Sequence, residues 1–397
     1  MSDPPFSRRT SWDRSENAHA EELGRARAAG RSLVDLTESN PTRCGFGGGE
    51  LVSLLGHPRG LAYAPSALGH PAARAAVARY YADRGLAVSP AGVCLAASTS
   101  EAYGWLFKLL CDRGDAALIP APSYPLFSFL ASLEDVVLTP YPLSRDEGFR
   151  LDLTALEAAI TPRTRAVVLV HPNTPTGSFV RRDEAAALVA LARSRGLALL
   201  VDEVFGDYAH GPLPKDRLPS FAGEREALTF VLSGLSKVVA LPQLKLGWIA
   251  VSGPEALAAE ALGRLEVIAD TYLSVSTPVQ LALPEILAQR GPIQAAIRAR
   301  TAENLASLDA AIAAAGELAP VRRLAVDGGW YAILEVPRTH DEDAWVELLI
   351  REDGVVVHPG YFFDFAENGY LVVSLLPDAV VFREAIGRVT RRIAVDY

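Results

Sequence analysis

Short, almost uninterrupted apolar runs separated by amphipathic stretches are the main feature of the middle of the chain. A strand covered on both faces is apolar throughout, whereas a half-exposed strand alternates apolar and polar residues. The stretch at 181–196, which lies between two such runs, is typical of a helix. Strands that alternate with helices predict an α/β domain with a mostly parallel sheet between helices. The predicted strands are 115–122, 165–173, 197–205, 227–236 and 246–253.

The pattern changes after about residue 255. Helical stretches dominate as far as residue 316, and apolar runs then return with helices between them, at 330–337, 354–360 and 369–376. This order is typical of a second, smaller α+β domain. We therefore expect a large domain at 45–285 and a small domain built from both ends of the chain, 1–44 and 286–397.

The composition is that of a folded globular protein and excludes several functional classes. Of the 397 residues, 50% are apolar and 21% are charged, with a formal net charge of −9. Because no segment is rich in Lys and Arg, we expect no nucleic-acid partner. There is neither the apolar core of a signal peptide nor an apolar run long enough for a membrane span, so we expect a cytoplasmic protein. The cysteines form no CxxC pair, and we expect neither a disulfide framework nor a metal site.

Hydroxyl residues follow the apolar run that ends near residue 97. Ser98, Thr99 and Ser100 open a helical stretch, and Ser98 and Glu101 have the S-x-x-E spacing of a capping box. A helix N-terminus offers free N–H groups and the positive end of a dipole, which together suit a phosphate. The alternative is an ordinary helix cap. Because ligands of open α/β sheets lie beyond the carboxyl ends of strands, the residues after the other strands are candidates too.

Four further side chains occupy comparable positions after strands. Tyr124, in "SYP", can stack on a flat ring or serve packing alone. Asn173, in "HPNTPTG", is a directed hydrogen-bond donor in a turn that two prolines and a glycine make rigid. Asp202, in "DEVFGDY", places a carboxylate at a strand end. Lys237, in "SGLSK", has apolar neighbours, and desolvation there would lower the pKa of its amine.

The use of lysine at this point is informative in itself. The chain has 34 arginines but only four lysines, of which Lys237 and Lys245 lie eight positions apart. A guanidinium does not lose its proton in proteins, so it cannot form an imine. Pyridoxal phosphate requires a lysine for its Schiff base and an acidic partner for its pyridine nitrogen. The phosphate cradle, the aromatic ring, the amide, the carboxylate and the amine together supply what this cofactor needs.

From about residue 33 to 390, the chain resembles the class I/II aminotransferases of the fold type I pyridoxal-phosphate enzymes. The resemblance rests on "HPNTPTG", "VDEVF" and "SGLSK" in this order, with separations of 29 residues from Asn173 to Asp202 and 35 from Asp202 to Lys237. It implies that 45–285 is the cofactor-binding domain. It also implies that Lys237 forms the Schiff base and shuttles a proton to and from the substrate α-carbon, and that Asp202 keeps the pyridine nitrogen protonated.

The same resemblance implies roles for other residues of the cofactor site. Asn173 would donate to the ring oxygen, Tyr124 would stack on the ring, and the stretch 98–100 would bind the phosphate. Lys245 takes the place of a phosphate-binding arginine and keeps its charge but not its bidentate fork; the alternative is a lysine at the sheet edge. Tyr63 would reach the phosphate in the neighbouring subunit, which implies a homodimer with shared active sites.

Two positions near the cofactor depart from the family pattern. Phe205 occupies the place of a tyrosine that donates to the ring oxygen, and Tyr208 is the candidate to replace that donor. Gly234 occupies the place of a phosphate-binding serine. Ser233 and Ser236 are the candidates to bind the phosphate in its stead.

The third departure concerns the substrate. Val372 occupies the place of the arginine that binds the substrate α-carboxylate, and no arginine lies between positions 351 and 383. Asn40, Arg43 and His358 are the candidate substrate residues, and the alternative for Arg43 is an ordinary surface arginine.

The resemblance implies a pyridoxal-phosphate-dependent aminotransferase with a ping-pong mechanism, acting on a small-molecule amino donor and a keto-acid acceptor. The first alternative is a lyase, decarboxylase or racemase of the same fold, which the departures at Phe205 and Val372 leave open. The second is a ligand-sensing domain of a transcription regulator, against which the missing basic segment argues.

Overall fold

The computed structural model describes residues 5–316 and 320–396, and the elements below belong to these two ranges. The helices are α1 Ala18–Ala28, α2 Gly49–Ser53, α3 Pro71–Asp83, α4 Thr99–Leu110, α5 Phe127–Leu133, α6 Leu153–Ala158, α7 Arg182–Arg195, α8 Leu235–Val238, α9 Glu255–Tyr272, α10 Thr277–Ala288, α11 Arg290–Ala314, α12 Glu342–Leu348 and α13 Ala379–Val395. The strands are β1 Val34–Asp35, β2 Val93–Ala96, β3 Ala116–Ala121, β4 Val137–Ser144, β5 Arg150–Leu151, β6 Thr164–Val170, β7 Ala198–Asp202, β8 Thr229–Gly234, β9 Gly247–Ser252, β10 Arg322–Arg323, β11 Tyr331–Glu335, β12 Val355–Val356, β13 His358–Pro359 and β14 Tyr370–Ser374.

The large domain is built on an eight-stranded sheet of order β2-β9-β8-β7-β6-β3-β4-β5. The pairs from β8 through β7, β6 and β3 to β4 are parallel, while β9 is antiparallel to both of its neighbours. Successive residues of the central strands enter two different apolar clusters, with Val167 on one face and Val168 on the other. Burial on both faces explains the continuous apolar runs, and the predicted mostly parallel sheet is confirmed.

The small domain is an antiparallel sheet of order β10-β11-β14-β13, with a parallel pair of β1 and β12 beside it. Because β1 comes from the N-terminal region and β12 from the C-terminal region, both parts of the chain contribute to it. One face of this sheet packs in a separate apolar core with residues of α13 such as Phe382 and Ile386. Within the described ranges, no helix is long and apolar enough to cross a membrane.

The expected division at 1–44, 45–285 and 286–397 stays a prediction. Its boundary at residue 285 lies inside α10, whose apolar face packs in the same cluster as the strands of the large sheet. The first described residues pack on α5, next to the large sheet. There the Trp12 Nε1 donates to the Ser132 hydroxyl at 3.0 Å, and the Trp12 ring contacts the Phe129 ring edge-on at 5.5 Å. An apolar indole finds a partner on α5, which the polar N-terminal sequence did not indicate.

The order of the parallel strands positions the candidate side chains. Val170 at the end of β6 pairs with Asp202 at the end of β7, and Asp202 pairs with Leu232 near the end of β8. Carboxyl ends of neighbouring parallel strands meet at one edge of a sheet. The loops that carry Asn173, Asp202 and Lys237 therefore leave the sheet side by side.

Candidate active site

Lys237 lies in the single-turn helix α8, directly after β8. Its Nζ is 4.8 Å from the centre of the Trp330 ring and 5.3 Å from the centre of the Phe205 ring. Burial lowers the pKa of this amine to about 8, against the opposing attraction of the Asp202 carboxylate. A lysine whose pKa is close to neutral pH can act as a base or a nucleophile.

Asp202 ends β7 and is buried. Its Oδ1 accepts a hydrogen bond from the Val204 N–H at 3.0 Å. Burial raises the pKa of the carboxyl group to about 6, while the Val204 N–H and the charge of Lys237 favour the ionised form. The buried Tyr103 hydroxyl beside it completes no hydrogen bond within the described ranges, and the Asp202 carboxylate adds to burial in raising the pKa of Tyr103. The Val204 N–H therefore holds the carboxylate in place beside the Tyr103 hydroxyl.

Asn173 is buried in the loop that follows β6. Its backbone is fixed on both sides, by its N–H to the Ser178 carbonyl at 2.9 Å and by its carbonyl to the Gly177 N–H at 2.7 Å. The Thr176 hydroxyl donates to the Asn173 Oδ1 at 3.0 Å. This bond assigns the oxygen, so the other side-chain atom is the NH₂ donor, and it has no acceptor among residues 5–316 and 320–396.

The N-terminus of α4 lies against the start of β9. The Ser98 hydroxyl caps the helix by accepting from the Glu101 N–H at 3.1 Å, while Thr99 and Ser100 are half-buried in the first turn. A Cβ on Gly247 would lie 3.3 Å from the Thr99 nitrogen. Because residue 247 is a glycine, no side chain there covers the N–H groups in the first turn of α4. The predicted helix cap is present, and the free N–H groups make a site that suits an anion.

Tyr124 follows β3 and is 45% exposed. Its ring contacts the Phe127 ring edge-on at 6.3 Å, and burial together with the Asp202 carboxylate raises the pKa of its hydroxyl. The neighbouring Ser123 N–H donates to the Phe363 carbonyl of the small domain at 2.9 Å. The Tyr124 ring is thus partly exposed and close enough to Asp202 to feel its charge.

The candidate phosphate ligands around α8 differ in how far they are exposed and in the direction they face. Lys245 is exposed and has a left-handed backbone, with φ of 49°. Ser233 is buried in β8 opposite Trp248, so it faces the apolar cluster around that ring, whereas Ser236 is half-buried beside Lys237. A Cβ on Gly234 would lie 2.9 Å from the Gly247 Cα, which explains why a serine is replaced there.

Tyr63 is not brought to Lys237 within one chain. Its side chain is 82% exposed, and it lines a small cavity together with Trp105, Leu273 and Gln280. The neighbouring Leu61 is also almost fully exposed.

Two of the positions expected on the substrate side, Val372 and His358, pair with each other in the small sheet. Val372 is fully buried in β14, between Ile333 of β11 and His358 of β13. Burial and the nearby His19 lower the pKa of His358 to about 4, so this ring is neutral at pH 7 and its Nδ1 has no partner within the described ranges. A neutral ring can accept or donate a hydrogen bond but attracts no carboxylate by charge.

The two polar candidates of the N-terminal loop are engaged locally. The Arg43 side chain is 75% exposed, and its Nη1 donates to the Glu38 Oε2 at 3.3 Å. The Asn40 Oδ1 accepts from the Thr42 N–H at 3.1 Å and from its hydroxyl at 2.8 Å. The structure therefore leaves only the amide nitrogen of Asn40 available as a donor, and Arg43 would have to leave Glu38 to bind a substrate.

Sequence reasoning missed the aromatic residues that the small domain supplies. Trp330 contacts Phe205 at 5.2 Å, and Tyr331 contacts Phe205 at 6.5 Å and Phe363 at 5.9 Å between ring centres. The sequence signal for this contact was the glycine pair just before Trp330. A Cβ on Gly328 would lie 2.6 Å from the Tyr208 carbonyl oxygen, so only glycine allows the two loops to approach so closely.

Tyr208 does not supply the donor that Phe205 lacks. Its hydroxyl donates to the backbone carbonyl of Lys237 at 2.5 Å, and its ring packs on Trp330 at 5.0 Å. The expectation that Tyr208 replaces the missing donor is therefore wrong, since its one proton already has an acceptor.

These groups fit pyridoxal phosphate. The unpartnered Asn173 NH₂, the buried Asp202 carboxylate and the Lys237 amine with its lowered pKa come from the ends of adjacent strands. The open helix N-terminus at Ser98 suits a phosphate group. A phosphorylated pyridine aldehyde offers a partner to each of them.

Comparisons with known proteins agree with this geometry. The family model "Aminotransferase class I and II" matches residues 53–388. An alanine aminotransferase of Mycobacterium tuberculosis is 28% identical over 361 residues, which cover 89% of this chain and 83% of the relative. The glutamate-pyruvate aminotransferase AlaA of Haemophilus influenzae is 25% identical over 395 residues, 94% of this chain and 93% of the relative.

A solved structure shows the same fold. A single mutant of the Thermus thermophilus aspartate aminotransferase matches with a TM-score of 0.84 and 24% sequence identity, over 98% of this chain and 100% of the other. Since the family model spans most of the sequence, the chain belongs to the class I and II aminotransferases, pyridoxal-phosphate-dependent transferases of fold type I that move amino groups.

Proposed function

We propose that Lys237 carries the cofactor and moves the proton in a ping-pong exchange between an amino acid and a keto acid. The observation that supports this most directly is the meeting of three side chains at adjacent strand ends: the free Asn173 NH₂, the buried Asp202 carboxylate and the Lys237 amine. The lyase, decarboxylase and racemase alternatives are not favoured, because the family and the relatives named above transfer amino groups.

When bound, pyridoxal phosphate supplies an electrophilic aldehyde carbon and an electron-withdrawing ring. Lys237, with a pKa of about 8, has a substantial neutral fraction at pH 7 to 8, so it can take a proton from the amino-bearing carbon of the substrate. The same residue, once protonated, can return the proton to the acceptor side. The Phe205 and Trp330 rings keep water away from this amine.

The remaining residues of the site would hold the cofactor and fix its orientation. Asp202 is ionised above about pH 6 and would accept from a protonated ring nitrogen. Asn173 would donate to the ring oxygen and Tyr124 would cover one ring face. The phosphate would lie at the open turn formed by Ser98, Thr99 and Ser100, with Ser236 and Lys245 beside it. Ser233 is the weakest of these assignments because it faces the Trp248 cluster.

We further propose a cytoplasmic homodimer in which Tyr63 completes the site of the second subunit. The support is the exposure of Tyr63 and Leu61, two large apolar side chains on one loop. Of the substrate candidates, Arg43 would bind a carboxylate after leaving Glu38, and Asn40 and His358 would contribute neutral hydrogen bonds. The names of the relatives make alanine and glutamate the donors to test first, with pyruvate and 2-oxoglutarate as acceptors.

The test compares the wild-type protein with K237A and K237R. The wild type should hold a visible chromophore that borohydride fixes covalently to the peptide containing Lys237, and it should convert an amino donor and a keto acid into a new amino acid. Both variants should lack the covalent adduct. A wild-type protein that fixes no cofactor would refute the proposal, and release of ammonia or carbon dioxide without a new amino acid would revive the alternatives.

A further inference from the structure

The backbone of α8 has few hydrogen bonds of its own. The helix has four residues, and both the Val239 and Leu241 N–H groups bond to the same acceptor, the Leu235 carbonyl, at 3.3 and 3.1 Å. The last carbonyls of any helix lack intrahelical partners and need donors from elsewhere. In α8 they include the carbonyls of Lys237 and Val238.

Two buried side chains from other elements supply those donors. The Tyr208 hydroxyl donates to the Lys237 carbonyl at 2.5 Å, and the Gln294 Nε2 of α11 donates to the Val238 carbonyl at 3.0 Å. Both residues are more than nine-tenths buried. Tyr208 therefore holds the peptide group that directly follows the Lys237 Cα, and Gln294 holds the next peptide group along the chain.

A chain of hydrogen bonds fixes the orientation of Gln294. Its Nε2 also donates to the Asp207 Oδ2 at 2.9 Å, which accepts from the Tyr80 hydroxyl at 3.0 Å. The Arg84 Nη1 donates to that hydroxyl at 2.7 Å. Because arginine only donates and a carboxylate only accepts, every proton in this chain has one direction. Both protons of the Gln294 amide are thus committed, one to Asp207 and one to Val238.

We propose that Gln294 and Tyr208 are positioning residues for the Lys237 amine, a role that rests on the function proposed above for Lys237. The amine has to alternate between the cofactor and the substrate, so its long side chain must move while its backbone stays fixed. Displacement of a reacting group by about 1 Å can cost about 100-fold in rate. Gln294 lies near the start of α11, the helix that leads from the large domain to the small one, so it ties the lysine turn to the joint between them.

The test uses Q294L and Y208F, with R298A as the matched control. Arg298 lies four residues after Gln294 on the same helix, and its Nη1 donates to the Asp207 backbone carbonyl at 3.2 Å. It therefore binds the same loop, and within the described ranges it makes no hydrogen bond to α8. The first readout needs no cofactor: the pH dependence with which an amine-specific reagent modifies Lys237 in the cofactor-free protein, followed on its peptide by mass spectrometry. The second is the single-turnover rate with an amino donor.

We expect the labelling pKa of about 8 in the wild type to rise toward the ordinary 10.5 in Q294L and Y208F, because a loosened turn admits water. We also expect the single-turnover rate to fall about 10- to 100-fold with little change in KM. R298A should keep the wild-type values. The proposal is overturned if both variants keep the wild-type labelling profile, or if R298A shifts it equally.

Two safeguards keep the result interpretable. If Q294L fails to fold, Y208F, which removes a single oxygen, is by itself a sufficient test of the positioning role. If the wild type transfers no amino group, the proposed function fails, while the labelling profile of the cofactor-free protein still decides the positioning role.

Discussion

The Lys237 amine lies 4.8 Å from the centre of the Trp330 indole ring, although the two residues come from different domains. Trp330 is fully buried and contacts Phe205 and Tyr208, which belong to the loop after Asp202. The environment that lowers the pKa of the lysine is therefore assembled jointly by the two domains. Its properties can be tested without knowing the substrate.

The first prediction concerns stability and pH. The pKa of Lys237 is about 8 in the folded protein, below its ordinary 10.5, so between these values the unfolded chain holds a proton that the folded protein does not. Stability should therefore rise with pH across this window and carry a penalty below pH 8. In the cofactor-free protein, K237M should raise the free energy of unfolding at pH 7 by on the order of 2 kcal/mol.

Urea denaturation between pH 7 and 9.5 measures this difference. The advantage of K237M should shrink as the pH rises, because the wild-type amine loses its charge. K108M is the control, since Lys108 is partly exposed and paired with Glu134. An advantage that stays constant with pH would show that the lysine charge is not its origin.

The second prediction separates two adjacent carboxylates. Asp202 is directed to the site, whereas the Glu203 carboxylate accepts from the Ser220 hydroxyl at 2.6 Å and the Phe221 N–H at 2.7 Å, inside the core. D202N should weaken cofactor binding about 10- to 100-fold, because a charge-assisted hydrogen bond is lost. E203Q should leave the cofactor affinity unchanged.

The pH dependence sharpens this comparison. Burial raises the pKa of Asp202 to about 6, so wild-type cofactor affinity should fall as the pH drops through 6 and the carboxyl group takes up a proton. The D202N protein should lack this step and keep only the gradual fall below pH 8 that protonation of Lys237 causes, which fluorescence titration of the cofactor-free protein can measure between pH 5 and 8. Superimposable profiles of the wild type and D202N would argue against Asp202 as the acceptor.

Much of this architecture could be predicted because its signals are local. The runs that form β6, β7 and β8 are apolar on both faces. Asp202 is the last residue of β7, and Asn173 and Lys237 come shortly after β6 and β8. A strand and its following loop are contiguous in sequence, so their order carries over directly into space. The same reasoning places the capping serine of α4.

The rest depends on contacts between distant segments. Trp330 reaches Lys237 across the domain boundary, and Gln294 reaches Val238 from a helix with no periodicity signal for this contact. The role of Tyr208 depends on where its hydroxyl finds an acceptor, which a family pattern at neighbouring positions does not fix. Hydrogen-bond partners of buried side chains need the tertiary structure.

The third prediction tests the shared site. Mixed dimers of Y63F and K237A chains should contain one site with both Lys237 and Tyr63 intact if Tyr63 acts across the interface. Each parent dimer should be defective. A hybrid has one intact site of two, and about half of the dimers are hybrids at statistical mixing, so the mixture should recover up to about a quarter of the specific activity of the wild type. Size-exclusion chromatography with light scattering provides the oligomeric state. A mixture no more active than the average of its parents would place Tyr63 in its own chain's site, or outside any site.

The fourth prediction concerns Lys245. Its left-handed backbone, with φ of 49°, disfavours a side chain by about 1 kcal/mol. K245G should therefore keep or slightly raise the free energy of unfolding, while it weakens cofactor binding about 10-fold through loss of the charge. K245A removes the charge and retains the strain, so it should lose affinity without gaining stability. Equal cofactor affinity in all three proteins would contradict a contact with phosphate.

At position 245, the backbone conformation that folding requires and the positive charge that cofactor binding requires favour different residues. Folding alone would be served better by glycine, which adopts this conformation freely, whereas holding an anion calls for a cation. A search for more stable variants of this protein would select the substitution that loosens its grip on the cofactor. Thermal robustness of the empty protein and retention of the cofactor should therefore be scored separately in any engineering of this chain.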